Sequence, residues 1–201
     1  MAIEFRSEKT AGRVPEIWRG ECVVLPGGFK PLQTFAVGTV LRRGTPIRVD
    51  FGAMTAAVCK VAQVVGGGTT TKPRVPKGHY IGVGDSLTKV GDGKAKVTVQ
   101  DVDTSAGGYD VLTLSAAYTG LAEGDTLVEC AAEAVGDVYV AAYRPNMIVA
   151  ADKHFDGKGI PTIDAAYDAV VLYPSLGFGL LPDWLNGCCL KENPNILFIK
   201  Q

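Results

Sequence analysis

The chain has 201 residues, with 20 Lys and Arg against 21 Asp and Glu, 47% apolar residues, 25 Gly and 11 Pro. Near-neutral charge removes the field that would gather nucleic acid or anionic lipid, and folding at this length buries roughly 70% of the extended-chain surface, so a core forms without staples. Gly and Pro interrupt the Val-, Thr- and Ala-rich chain about every ten residues, which favours short strands over long helices.

The opening "MAIEFRSEKT" places charges where a secretory leader needs an apolar core, and no segment approaches the ~20 apolar residues of a membrane span. The expectation is a soluble chain. Residues 1–34 hold Pro15, Pro26, Pro31 and the pair Gly27-Gly28 without helical or strand periodicity. They read as an extended N-terminal arm with one short strand at Cys22 to Leu25. In "GTVLRRGTPIRVDFG", Ile47, Val49 and Phe51 alternate with Arg48 and Asp50 after a Gly44-Thr45-Pro46 turn, which predicts a hairpin with one buried side. The stretch 53–65, "AMTAAVCKVAQVV", suits a helix by composition and a strand by its Val-rich end, and both stay open.

Residues 66–78, "GGGTTTKPRVPKG", form the sharpest break in composition and read as a linker or crossover into an inserted lobe. A phosphate loop is excluded, because Lys72 does not follow the last glycine of the run and Pro73 obstructs the helix such a loop requires. From His79 to Cys130, "HYIGV", "AKVTVQDV", "YDVLTLS" and "GDTLVEC" alternate with the turns "VGDG", "TSAGG" and "GLAEG". That rhythm predicts a small barrel or sandwich. Beyond it, a strand is expected at Asp137 to Tyr143 and another at Ile196 to Ile199. Residues 163–173 read either as a helix begun at Thr162 and stopped by Pro174 or as a strand. The expected fold is mainly β: an inserted lobe, 66–130, on a base lobe of 35–65 and 131–201, with at most one or two short helices.

Gly84-Asp85-Ser86-Leu87 spells the motif of a large class of serine esterases, whose serine opens a helix and relies on a base, an Asp-x-x-His pair and oxyanion donors. Here Ser86 lies mid-chain, and "TKVGDGKAKV" behind it alternates like a strand. The available bases are His79 and His154, and Asp152-Lys153-His154 is one residue short of the required spacing. The chain also supplies its own control in Gly124-Asp125-Thr126-Leu127, again ahead of a strand. A glycine at positive φ and an aspartate accepting backbone N–H groups account for both copies as turns. An esterase using Ser86 and His154 is the alternative reading.

Two histidines without a third ligand make no zinc site. Asp92, Asp101, Asp103 and Asp110 share a turn-rich region but match no calcium loop. Cys22, Cys59, Cys130, Cys188 and Cys189 are odd in number and lack a C-x-x-C pair, which suits a reducing compartment and small apolar roles. An adjacent pair such as Cys188-Cys189 bridges only with strain. Trp18 and Trp184 read as core or contact residues. No catalytic, cofactor or metal residues are therefore expected.

The order of motifs from about Ala36 to Cys130 is a further clue. A "GTVLRRGTPI" hairpin, an Ala/Val-rich return, the run "KGHYIGVGD" and a closing "YDVLTL…GDTL" resemble the head-fibre and capsid-decoration proteins of tailed bacteriophages, especially those carried as prophages in Bacteroidales. The resemblance implies a non-enzymatic virion protein made in the bacterial cytoplasm and placed on the capsid surface. It implies a homo-oligomer, with a trimer favoured, docking on the major capsid protein, binding no nucleic acid, inserting in no membrane and possessing a surface able to contact the host. No heptad stretch supports a coiled-coil stalk. A surface- or carbohydrate-binding β module is a further alternative.

Overall fold

The computed structural model describes residues 17–25, 28–159, 161–173, 176 and 179–200. Among the described residues strand accounts for 44% and no helix reaches seven residues, and the sheets curl into half-barrels. The fold is mainly β. The first part supplies β1 (Trp18–Val24), β2 (Lys30–Pro31), β3 (Val40–Leu41), β4 (Pro46–Asp50) and β5 (Thr55–Val58). The middle supplies β6 (Val61–Gln63), β7 (Arg74–Pro76), β8 (Ser86–Lys89), β9 (Val97–Asp103), β10 (Tyr109–Leu114) and β11 (Thr126–Glu129). The last part supplies β12 (Met147–Val149), β13 (Lys153–His154), β14 (Ala165–Leu172), β15 (Leu185–Asn186), β16 (Cys189–Leu190) and β17 (Asn193–Ile199), with one 3-10 turn at Pro182–Trp184.

A nine-stranded sheet runs β15-β16-β17-β14-β12-β4-β5-β2, with β1 also paired to β14. β14 is its hub. Ala166 is matched to both Val24 and Ile148, and Val170 and Val171 to β1 and the parallel β17, so β1 takes one edge while β12 and β17 share the other. Both faces of β14 are covered: Ala166, Ala169 and Val171 join one core with Trp184 and Ile196, and Ala165 joins a second with Phe29, Ile47 and Ile163. Enclosure on both sides, together with the β-branched pair Val170-Val171, resolves 163–173 as strand. Likewise 53–65 is two strands, β5 and β6, separated by Cys59 and Lys60.

All six strands of the second sheet come from Val61 to Glu129, in the order β6-β11-β8-β9-β10-β7. An isolated bridge between Val65 and Arg74 brings the two end strands together, so the sheet curls almost onto itself. Val97 and Val99 on β9 and Leu112 and Leu114 on β10 point inward with Val75, Leu87, Tyr118 and Leu127. That is the alternation expected of half-buried strands. β3 and β13 form a small separate ladder.

Several local expectations are corrected. β3 does not pair with β4: the hairpin is β4 with β5, while Leu41 and Val40 pair with Lys153 and His154. Ile47 and Val49 are buried as expected, but Phe51 lies past the strand end, 54% exposed, with its ring edge-on to Phe29 at 5.9 Å. Residues 66–78 do not run as a free linker, since they contain β7, paired to β10. "HYIGV" forms no strand, and neither does Asp137 to Tyr143, which makes only the bridges Val135 to Val138 and Cys130 to Ala141. Of the expected arm, Met1 to Glu16, Pro26 and Gly27 lie outside the described residues. Its remainder forms β1, longer than the strand expected at Cys22, and β2.

Candidate functional site

The two Gly-Asp turns are geometrically the same object. Gly84 and Gly124 have φ of +92° and +88°, the left-handed region that glycine enters without steric cost. Gly84 donates its N–H to Val99 O at 2.8 Å and Val99 returns its own to Asp85 O at 2.9 Å; Gly124 and Val64 repeat this with Asp125 at 2.9 and 2.7 Å. The Asp85 carboxylate accepts the Gly82 N–H at 2.7 Å, and the Asp125 carboxylate accepts that of Ala122 at 2.8 Å. β8 and β11 then pair antiparallel about Thr88 and Val128, with Leu87 opposite Glu129 and Lys89 opposite Leu127. β7 and β10 pair in the same symmetric way about Val75 and Asp110. A local two-fold therefore relates β6, β7 and β8 to β9, β10 and β11.

The two halves differ in their charged partners. Asp125 is met by Lys89 Nζ at 3.2 Å, both side chains partly exposed at 27% and 20%. Asp85 is met by Lys60 from the crossing between the sheets, with Nζ at 2.7 and 2.6 Å from its two carboxylate oxygens. Lys60 is 4% exposed. At the position equivalent to Lys89 stands Glu129, whose carboxylate accepts a bond from Gln33 Nε2 at 3.1 Å. Gln33 also donates to Val58 O and accepts from its N–H, fixing the network to β5. Burial pushes the Glu129 carboxyl up; the Lys60 charge opposes that shift, and the Asp85 charge adds to it.

A second cluster lies on the same sheet. Asp110 on β10 takes Lys77 Nζ on one oxygen and His79 Nε2 at 3.1 Å on the other, and His79 Nδ1 accepts the Ile81 N–H at 3.2 Å. This assigns the neutral tautomer protonated on Nε2. Both ring nitrogens are thereby occupied, and no lone pair remains to take a hydroxyl proton. Burial lowers the His79 pKa, with Asp110 acting against that shift. Lys77 and His79 border a cavity of about 450 Å³ whose other walls include Val61, Val90, Tyr173 and Leu180.

The esterase constellation does not assemble. Ser86 begins β8, its carbonyl accepting the Cys130 N–H, whereas His154 lies in β13 against Val40. The two are in different sheets. Asp152 accepts the Arg43 N–H at 2.8 Å instead of orienting His154. Asp103 bonds the Ser105 N–H and Asp110 is engaged by Lys77 and His79. Among the described residues no three His, Cys, Asp or Glu side chains converge as metal ligands. All five cysteines are free thiols, Cys59 and Cys130 buried, and the Cys188 and Cys189 sulfurs stand 4.0 Å apart with Cys188 exposed. Lys60, Asp85 and Glu129 were not singled out as a group by the sequence. Their one signal is a lone charge inside an apolar strand run, at Lys60 in "AAVCKVAQVV" and Glu129 in "TLVEC".

No family, no curated protein and no solved structure matches the chain.

Proposed function

We propose that this chain is a non-enzymatic structural protein of a tailed-phage virion, attached to the capsid surface as a homo-oligomer. The motif order between Ala36 and Cys130 supports that reading, and one structural observation carries it further. β2 ends the nine-stranded sheet and has a strand partner on one side only among the described residues. Beside that edge, Leu32, Phe51 and Met54 stay 57%, 54% and 47% exposed. An edge strand flanked by large apolar side chains is a template for association.

The occupant is a second copy of this chain. Three copies that pack Leu32, Phe51 and Met54 beside this edge about a three-fold axis give a trimer, whose remaining surface docks on the major capsid protein. The test is the molar mass of the purified protein, followed by mixing with capsids that lack it. Co-sedimentation of an oligomer with those shells is expected. A monomer that leaves the shells bare would overturn the proposal.

A further inference from the structure

Lys60 is an unusual place to leave an amine. It sits between β5 and β6, where the chain crosses from one sheet to the other, and its ammonium reaches no more than a few per cent exposure. Both Asp85 oxygens lie within 2.7 Å of Nζ. A buried ion pair loses hydration that its mutual attraction repays only in part, so a neutral product of the same two groups is favoured there more than in water.

A third group stands beside them. Under the local two-fold, Glu129 occupies the position equivalent to Lys89, and the charges of both Lys60 and Asp85 act on its carboxyl. The Glu129 N–H bonds Lys60 O at 3.1 Å, and Gln33 holds its carboxylate in place. Two carboxyls and one amine are thus enclosed together. We infer that Lys60 and Asp85 join in an intramolecular isopeptide bond after folding, with Glu129 as the proton carrier.

The step balances without any outside reagent. A proton passes from the Lys60 ammonium to the Asp85 carboxylate, leaving an amine and a carboxylic acid. Rotation of the carboxyl about Cβ–Cγ presents Cγ to the Nζ lone pair, and the Nζ–Cγ bond forms. Oδ2, already holding the Gly82 N–H, carries the developing negative charge and remains as the amide oxygen. Glu129 takes the proton released by Nζ and delivers it to Oδ1, which leaves as water. One ammonium and one carboxylate become one amide and one water, and Glu129 ends as it began. Enclosure in contact raises the effective concentration of the partners by as much as ~10⁵–10⁸ M in well-oriented cases. The Lys89–Asp125 pair is the built-in control: it is more exposed, at 20% and 27%, and its longer 3.2 Å contact is expected to remain an ion pair.

The experiment is intact-mass spectrometry of the full-length, denatured protein, followed by mapping of the proteolytic peptides. The expected mass is that of the sequence less one water, with the Lys60 and Asp85 peptides recovered joined. Asp85→Ala and Lys60→Arg restore the full mass, Glu129→Gln restores it in most of the sample, and Asp125→Ala keeps the loss. The full sequence mass in the unsubstituted protein overturns the inference. So does a water loss that survives Asp85→Ala or maps to an Asp-Gly step such as Asp92-Gly93. A Glu129→Gln protein linked as fully as the parent overturns the role given to Glu129. Because the linkage forms only after folding, each variant is first shown to be folded by circular dichroism, and its mass is then read on the denatured sample.

Discussion

Gly84 and Gly124 occupy equivalent positions in the two halves of one curled sheet, each with φ near +90° and each exchanging a pair of hydrogen bonds with a neighbouring strand. A Cβ on either would meet no atom within 4 Å, so the cost of substitution is conformational alone. Gly84→Val and Gly124→Val should each destabilise by about 1 kcal/mol or more, measured by urea unfolding. Unchanged midpoints would show that the turns do not need this backbone geometry.

Ser86 should be nearly silent. Its backbone holds Cys130, and Thr126 fills the matching position in the other half. Ser86→Ala should fall within about 0.5 kcal/mol of the parent protein, and short-chain ester turnover should be absent both before and after the change. Turnover that vanishes with Ser86 would restore the esterase alternative.

Tyr118 is 1% exposed, and its hydroxyl accepts the Lys89 N–H at 3.0 Å while donating to Ala95 O at 3.2 Å. Tyr118→Phe leaves the Lys89 N–H without its hydroxyl acceptor inside the second sheet, while Ala95 O keeps the Thr88 hydroxyl at 2.8 Å. A loss of about 1–3 kcal/mol follows, measurable as a lowered urea midpoint.

His79 makes stability depend on pH. Burial lowers its folded pKa below the unfolded value of about 6.5. Below that value the unfolded chain binds the proton first, so stability is fully present above pH ~6.5 and falls as the pH drops toward the folded pKa. His79→Gln should flatten this part of the profile, and a profile unchanged by the substitution would remove His79 as its cause.

Much of the second sheet was legible from the sequence. Val97 and Val99 alternate with Thr98 and Gln100, Leu112 and Leu114 flank Thr113, and the repeated Gly-Asp step announced its own turn chemistry. What was hidden depends on partners far along the chain. Arg74–Pro76 is three residues flanked by Gly and Pro, and only its pairing with β10 makes it a strand. Val40–Leu41 looks like half of a hairpin, yet it finds Lys153 and His154 more than a hundred residues away. The Lys60 network was hidden for the same reason, because it draws Gln33, Lys60, Asp85 and Glu129 from four separate segments. Asp137 to Tyr143 shows the opposite error, an alternating run that makes bridges but no ladder.

The central claim is assembly, and the most direct measurement is the molar mass in solution by sedimentation equilibrium over a range of concentrations. The chain is 21.1 kDa. The account predicts a multiple of that mass, a trimer, which Phe51→Asp shifts toward the single chain. The single-chain mass at every concentration, or an oligomer untouched by Phe51→Asp and Met54→Asp together, would contradict it.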